Sequence, residues 1–297
     1  MSSTISTISW WTIPLLVICI LGSMLLQGIR WWMLIHPFDH ALSLSKALKA
    51  HFVGLYYSIV LPTSAAQDVV RAALLSKDTS SSLSWASTWV SRVLGLLTLA
   101  VMSIYGLFNI DRSGLPDSFF KSIIITFCIL ILISLLSFSK KFTSPFRNVT
   151  QRVLPKRFFT LIDQIRQGVY NYRGKGGTVF VVFVVTLLMQ LFITVGGCLV
   201  IFGISGKFLL FECLVYLPMI EILCISLPLT PNGIGIREGL LALMFSHVGL
   251  NKEQLGIYIV LGFFSISLKL IGGVPLLFGS RQENSTIKNA VSHSIKP

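Results

Sequence analysis

Long apolar runs separated by short polar punctuation make up most of the chain. Those near residues 10–35, 84–109, 119–139, 176–204, 208–229 and 253–279 reach the roughly 20 residues a helix needs to cross a hydrocarbon core. Two further segments, near 50–76 and 231–249, are apolar but interrupted by proline, glycine and charge. Irregular backbone at membrane depth survives only where protein or a wet cavity satisfies its N–H and C=O groups. The pattern predicts an all-α polytopic membrane protein of about six to eight spans with two broken or re-entrant segments. One transmembrane domain is expected over 1–279, with a polar tail over 280–297.

The two interrupted segments match each other. The first reads LPTSAAQDVVRAALL from Leu61 to Leu75, the second LPLTPNGIGIREGLL from Leu227 to Leu241. Each opens on Leu-Pro, has Ser or Thr at the fourth position (Ser64, Thr230) and Arg at the eleventh (Arg71, Arg237), and places Leu-Leu three residues beyond that Arg. Leu-Pro also begins at Leu115, Leu154 and Leu217, and in none of these does Arg follow at the same distance. The spacing predicts an internal repeat with halves over about 10–139 and 176–279, joined by 140–175. A helix-breaking segment bearing Arg and a carboxylate, present once in each half, is the pattern of a transporter substrate site.

Composition agrees with a membrane protein: 54% of residues are apolar and 12% charged, against about 25% charged in soluble domains. The net charge of +13 is uneven. Residues 140–175 hold nine Lys or Arg against Asp163 alone, so this loop is expected on the cytoplasmic side of the cell membrane. Within it Phe158, Ile162, Ile165, Val169 and Tyr172 recur at helical spacing, predicting a surface helix lying on anionic lipid. Nucleic acid is not an expected partner, because no soluble domain organises the basic cluster. MSSTISTIS lacks the basic stretch of a secretory signal, so the first run is expected to stay as a span. Its uncharged start, followed by Arg30, Lys46 and Lys49 counted after the first span, favours an outside N-terminus and a re-entrant first motif; an inside N-terminus requires 50–76 to cross completely. Cys19, Cys128, Cys198, Cys213 and Cys224 all fall in apolar segments without metal-ligand spacing and read as small buried hydrophobes.

The charges inside the apolar segments carry the candidate chemistry. Asp68 and Arg71 are three apart and share a helix face, which suits either a phosphate-binding arginine or a structural pair at a helix end. Arg237 and Glu238 follow Pro231, Asn232, Gly233 and Gly235, a loop leading into a helix start whose N–H groups favour an anion. Glu238 also complements the helix dipole there. Arg92 either snorkels to the interface or joins Arg71 in a basic cluster. Glu221 and Lys269 lie in the runs 208–229 and 253–279 and read as an ion pair or a proton relay. Pro62, Pro228, Pro231 and Gly239 are structural or hinge positions. His51 and His247 read as interfacial, and Trp10, Trp11, Trp31 and Trp32 as an aromatic belt. No P-loop, HExxH or GxSxG occurs, and no catalytic residue, metal or cofactor is expected.

HFVGLYYSIVLPTSAAQDVVRAALL, then SRVLGLLTLAV, then LPLTPNGIGIREGLLALMFSHVGL resemble the flippase-like membrane region of the lysylphosphatidylglycerol synthases and their stand-alone relatives. P-x-G-x-G-x-R-E-G is the most specific part. The resemblance implies a multi-span protein that moves a polar or charged lipid between leaflets, and it carries over Pro62, Asp68, Arg71, Arg92, Gly233, Gly235, Arg237, Glu238 and Gly239. Relatives usually carry Asn and then Gly-Gly-Asp around the first motif, where this chain has Ser58 and Ala66-Gln67-Asp68. Only a polar tail follows Gly279, so the aminoacyl-transferase activity of full-length synthases is not expected.

These readings converge on a non-enzymatic lipid flippase. Arg71 and Arg237 would hold a phosphate-bearing headgroup of a phospholipid or a polyprenyl-phosphate intermediate, helped by Asp68, Arg92, Asn232, Gly233, Gly235 and Glu238. The alternatives are an accessory subunit for a membrane glycosyltransferase or synthase, and an enzyme acting on a lipid phosphate.

Overall fold

A computed structural model describes residues 9–60, 66–76, 78–109, 165–226 and 233–277, with 121, 124–125, 127–129 and 132 between them. All regular structure among these residues is helical. In chain order the helices are α1 (Thr12–Ile35), α2 (Leu44–Val60), α3 (Ala66–Leu75), α4 (Ser81–Asn109), α5 (Gly176–Ser205), α6 (Leu210–Ser226), α7 (Ile236–His247), α8 (Lys252–Leu268) and α9 (Val274–Leu277). A 3₁₀ turn, Tyr172–Lys175, precedes α5, and another, Lys269–Gly273, joins α8 to α9. Among the described residues four helical segments are long and apolar enough to cross a membrane: Thr12–Ile35, Ser81–Asn109, Ile165–Ser205 and Lys252–Leu276. The expected run 119–139 lies largely outside the described residues.

The two matched segments each sit on a pair of shorter helices that double back. In the first pair Ala47 and Ala50 share a core cluster with Leu75, Val53 packs on Val70, and Gly54 lies against Gln67 and Arg71. Residue numbers rise on α2 as they fall on α3, so the helices are antiparallel, and Lys46 Nζ meets Asp78 Oδ1 at 3.1 Å across the open end. In the second pair Cys224 touches Gly233, Glu221 bonds Arg237, and Tyr216 stacks edge-on against Phe245 with centroids 5.3 Å apart. Lys207 Nζ, ahead of α6, donates to the Gly249 carbonyl at 2.7 Å across that open end. The apolar run near 208–229 is thus one arm of a hairpin.

The long helices cross the hairpins reciprocally. α1 lies antiparallel to α5, with Cys19 against Gly196 and Gly22 against Phe192. α4, from the first half, packs on α6, where Gly106 meets Leu214 and Val215 and Leu99 and Ala100 meet Ile222. The 3₁₀ turn after α8, from the second half, packs on α2 in the same manner; a Cβ at Gly272 would collide with the Phe52 carbonyl oxygen. Small residues permit these approaches, as between membrane helices generally. α4 is the most buried long helix; Ser87, Thr88 and Thr98 return their hydroxyls to carbonyls three or four residues back, and Ser84 donates across to the Ala72 carbonyl at 2.8 Å. These bonds satisfy hydroxyls where water has no access.

Four expectations are corrected by this packing. Val169 and Tyr172 turn into the core beside Leu34 and Leu75, and the Tyr172 hydroxyl donates to the Leu34 carbonyl at 2.9 Å, so the described part of this face covers protein rather than lipid. Phe158 and Ile162 lie outside the described residues. Trp31 and His51 are wholly buried, not interfacial, because α2 folds back over α1. Arg30 is buried within α1 rather than in the following loop. Cys128 is exposed, while the other four cysteines are buried as expected.

Candidate functional site

The doubling-back of each hairpin brings the start of its second helix to the middle of the bundle. α3 thereby presents Gln67, Asp68 and Arg71, and α7 presents Arg237, to one shared cavity of about 260 Å³. Gln27 and Arg30 of α1, Ser91 and Arg92 of α4, Gln190 of α5, Glu221 of α6 and Lys269 complete its polar wall. The eleventh positions of the two matched segments, 166 residues apart, therefore face the same space.

Asp68 organises the first half of the site. Its Oδ1 accepts from Arg71 Nη2 and its Oδ2 from Arg92 Nη1, both at 2.9 Å. Arg71 is 2% exposed, and its guanidinium lies over the Trp31 ring, 4.8 Å from the centroid. That stacking desolvates the cation while the ring face compensates part of its charge. Beside it Gln67 Nε2 donates to Gln27 Oε1 at 3.0 Å. Arg30 bonds no carboxylate among the described residues: its Nη2 donates to Ser91 Oγ at 2.9 Å and its Nη1 to Thr186 Oγ1 at 3.4 Å.

In the second half Arg237 Nη2 donates to Glu221 Oε2 at 2.7 Å. Lys269 lines the same wall, where the fields of both Arg237 and Glu221 reach it. The Nε atoms of Arg30, Arg71 and Arg237 are buried without a hydrogen-bond partner among the described residues. A buried N–H without a partner is unusual and costly, and it marks where a ligand oxygen would be held.

A second cavity, of about 340 Å³, adjoins the first and shares Gln27, Gln190, Glu221, Arg237 and Lys269 with it. It continues between α1, α5, α6 and α8 over Leu16, Ile20, Val200, Leu217, Ile259 and Leu261, a largely apolar groove that Glu238 also lines. A polar pocket joined to an apolar groove has the shape of an amphiphile.

Residues 1–271 match the family described as the lysylphosphatidylglycerol synthase TM region. The chain belongs to that family. Membership and the four apolar helical segments make it a multi-pass membrane protein tied to lipid metabolism. Comparison with curated proteins and with solved structures gives no match.

Within this family member, Asp68, Arg71, Arg92, Arg237, Glu221 and Lys269 of the predicted residues come together at the polar cavity. Arg92 faces inward and is held by Asp68. Glu221, expected to pair with Lys269, bonds the motif Arg237 directly, and Lys269 lines the same wall. Glu238 reaches back to accept from the Gly235 N–H and so caps α7; it lines the second cavity and not the first. Gly233 and Gly235 have φ of +75° and +88°, a backbone that side-chain-bearing residues rarely adopt. Gly239 is exposed on α7 with open space around it. Pro62, Pro228, Pro231 and Asn232 lie outside the described residues.

Sequence reasoning missed Arg30, Gln27, Gln67, Gln190 and Ser91. Arg30 was hidden because it precedes Trp31-Trp32 and so resembles the interfacial flank of a span. The apolar WWMLI that follows it places it a full turn inside α1 and was the available signal.

Proposed function

We propose that the protein is a lipid flippase that moves a phosphate-bearing lipid between the leaflets of the cell membrane. The observation that carries the reading is the meeting of Arg71 and Arg237, one from each matched segment, on a single cavity continuous with an apolar groove. The guanidinium groups hold the headgroup phosphate while the chain follows the groove into lipid. Asp68 and Glu221 keep the arginines charged and aimed when the site is empty.

The reciprocal packing of the halves supports an inverted repeat. The first hairpin enters and leaves at the cytoplasmic face, the second at the opposite face, and loop 140–175 is cytoplasmic. Rocking of one half against the other about the α1–α5 contact then exposes the cavity to each leaflet in turn.

The test is leaflet exchange of fluorescent phospholipids in proteoliposomes. Each arginine contributes charge-assisted hydrogen bonds of about 1.5–3 kcal/mol, so Arg71→Ala and Arg237→Ala should slow exchange roughly ten- to a hundredfold. Undiminished exchange in both folded variants refutes the reading. A chemically altered lipid would point instead to an enzyme.

A further inference from the structure

The polar cavity is not electrically balanced. Among its described lining residues Arg30, Arg71, Arg92, Arg237 and Lys269 are cationic and only Asp68 and Glu221 are anionic, a formal excess of three positive charges. Most of that excess sits in the first half, where Arg71 and Arg92 share one carboxylate and Arg30, among the described residues, has hydroxyl partners only. Arg30 is 5% exposed, lines the cavity, and its Nε has no partner. A buried ion without a counter-ion costs several kcal/mol, so charge held this way is balanced by what enters.

The size of the excess discriminates among lipid headgroups. A phosphodiester carries one negative charge and leaves most of the excess unmatched. A phosphomonoester carries about −1.5 to −2 near neutral pH, and a diphosphate adds the single charge of its inner phosphoryl group. Zwitterionic and aminoacylated headgroups bring an ammonium among five cations and are opposed by it. At about 260 Å³ the cavity is also smaller than the roughly 300–1,000 Å³ of drug-sized sites, which suits a compact phosphate group better than a large glycan.

We propose that the cavity is selective for a lipid ending in a phosphomonoester or diphosphate, with Arg30 as the clamp that sets this charge preference. The terminal phosphate sits between Arg30, Arg71 and Arg92, and Arg237 and Lys269 face it from the other half. The apolar groove beside the cavity assigns the anion to a lipid rather than to free phosphate. The lipid chain rests on the flippase reading; the charge preference does not.

The experiment uses the full chain in phosphatidylcholine vesicles at fixed ionic strength. Binding and leaflet exchange are measured for phosphatidic acid, a polyprenyl diphosphate, phosphatidylglycerol, phosphatidylethanolamine and lysyl-phosphatidylglycerol. Inorganic phosphate and pyrophosphate serve as soluble competitors. The monoester and the diphosphate should be preferred about tenfold or more over phosphatidylglycerol, with the ammonium-bearing lipids weakest. Arg30→Gln should reduce the preference to about threefold or less, and Arg30→Lys should restore part of it. The headgroup series on the unaltered protein decides the matter even if the Arg30 variants do not fold. Equal handling of monoester and diester, or preference for an ammonium-bearing lipid, overturns the proposal. Pyrophosphate binding without any preference among the lipids overturns the lipid assignment. Preferential monoester binding without exchange of any lipid refutes the flippase and leaves the charge selectivity standing.

Discussion

Asp68 holds two arginines at once, which makes it the residue on which the empty site most depends. Removing its charge leaves Arg71 buried against Trp31 with no counter-ion. Asp68→Asn should therefore lose about 3–5 kcal/mol of stability, measured by thermal unfolding in detergent. Glu221→Gln is the instructive contrast. The Arg237 and Glu221 side chains are 28% and 41% exposed, so that pair is worth about 1 kcal/mol or less. Equal losses in the two variants would contradict this ranking. Glu238 belongs to a third class, because its contact is with backbone. Glu238→Gln keeps an acceptor for the Gly235 N–H and should leave stability and exchange close to the parent's, whereas Glu238→Ala should lose about 1 kcal/mol of α7 capping.

At the scale of elements the hairpins rest on a few positions where no larger residue fits. The Lys269–Gly273 turn crosses α2 so closely that the side chain of Gly272→Ala would meet the Phe52 carbonyl oxygen. Relief requires the first hairpin to move off the end of α8, so the variant should yield little folded protein by size-exclusion chromatography. Gly256→Ala lies in α8 with open space around it and should be neutral or slightly stabilising. Gly235→Ala fails for a different reason: the backbone at φ +88° is strained for alanine by about 1–3 kcal/mol, whatever the space available. The cost falls at the start of α7, two residues before Arg237, so exchange should drop together with stability.

For the whole molecule, the arrangement of two halves makes a statement about sidedness. Hairpin geometry places Lys46 and Asp78 at one end of the bundle, and the inverted-repeat reading places Lys207, which bonds Gly249, and Glu253, in the first turn of α8, at the other. In a background lacking the five native cysteines, single cysteine substitutions at these four positions should label from the two faces of sealed vesicles in those pairs. Labelling of Lys46→Cys and Asp78→Cys from opposite faces would mean that the first motif crosses completely. It would also remove the symmetry on which the alternating-access proposal depends.

The hydrophobic pattern alone determined that the chain is helical, that it is a membrane protein, and that two segments break that pattern with the same residues. These features are legible because solvent preference and backbone punctuation are local: an apolar run of span length, a proline, or an arginine among leucines means the same wherever it falls. The motif arginines and Asp68 were found that way. Only the tertiary structure decided that each motif arginine lies on the second arm of an antiparallel hairpin, and that the two arginines share one cavity. It alone joined Arg92 to Asp68 and drew Arg30 inward to a site with more positive than negative charge. Val169 and Tyr172 show the limit from the other side, since an amphipathic face records that something apolar covers it and not whether that cover is lipid or a neighbouring helix. Proximity between residues far apart in the chain is set by how helices cross, and crossing is a property of paired surfaces that neither sequence segment carries by itself.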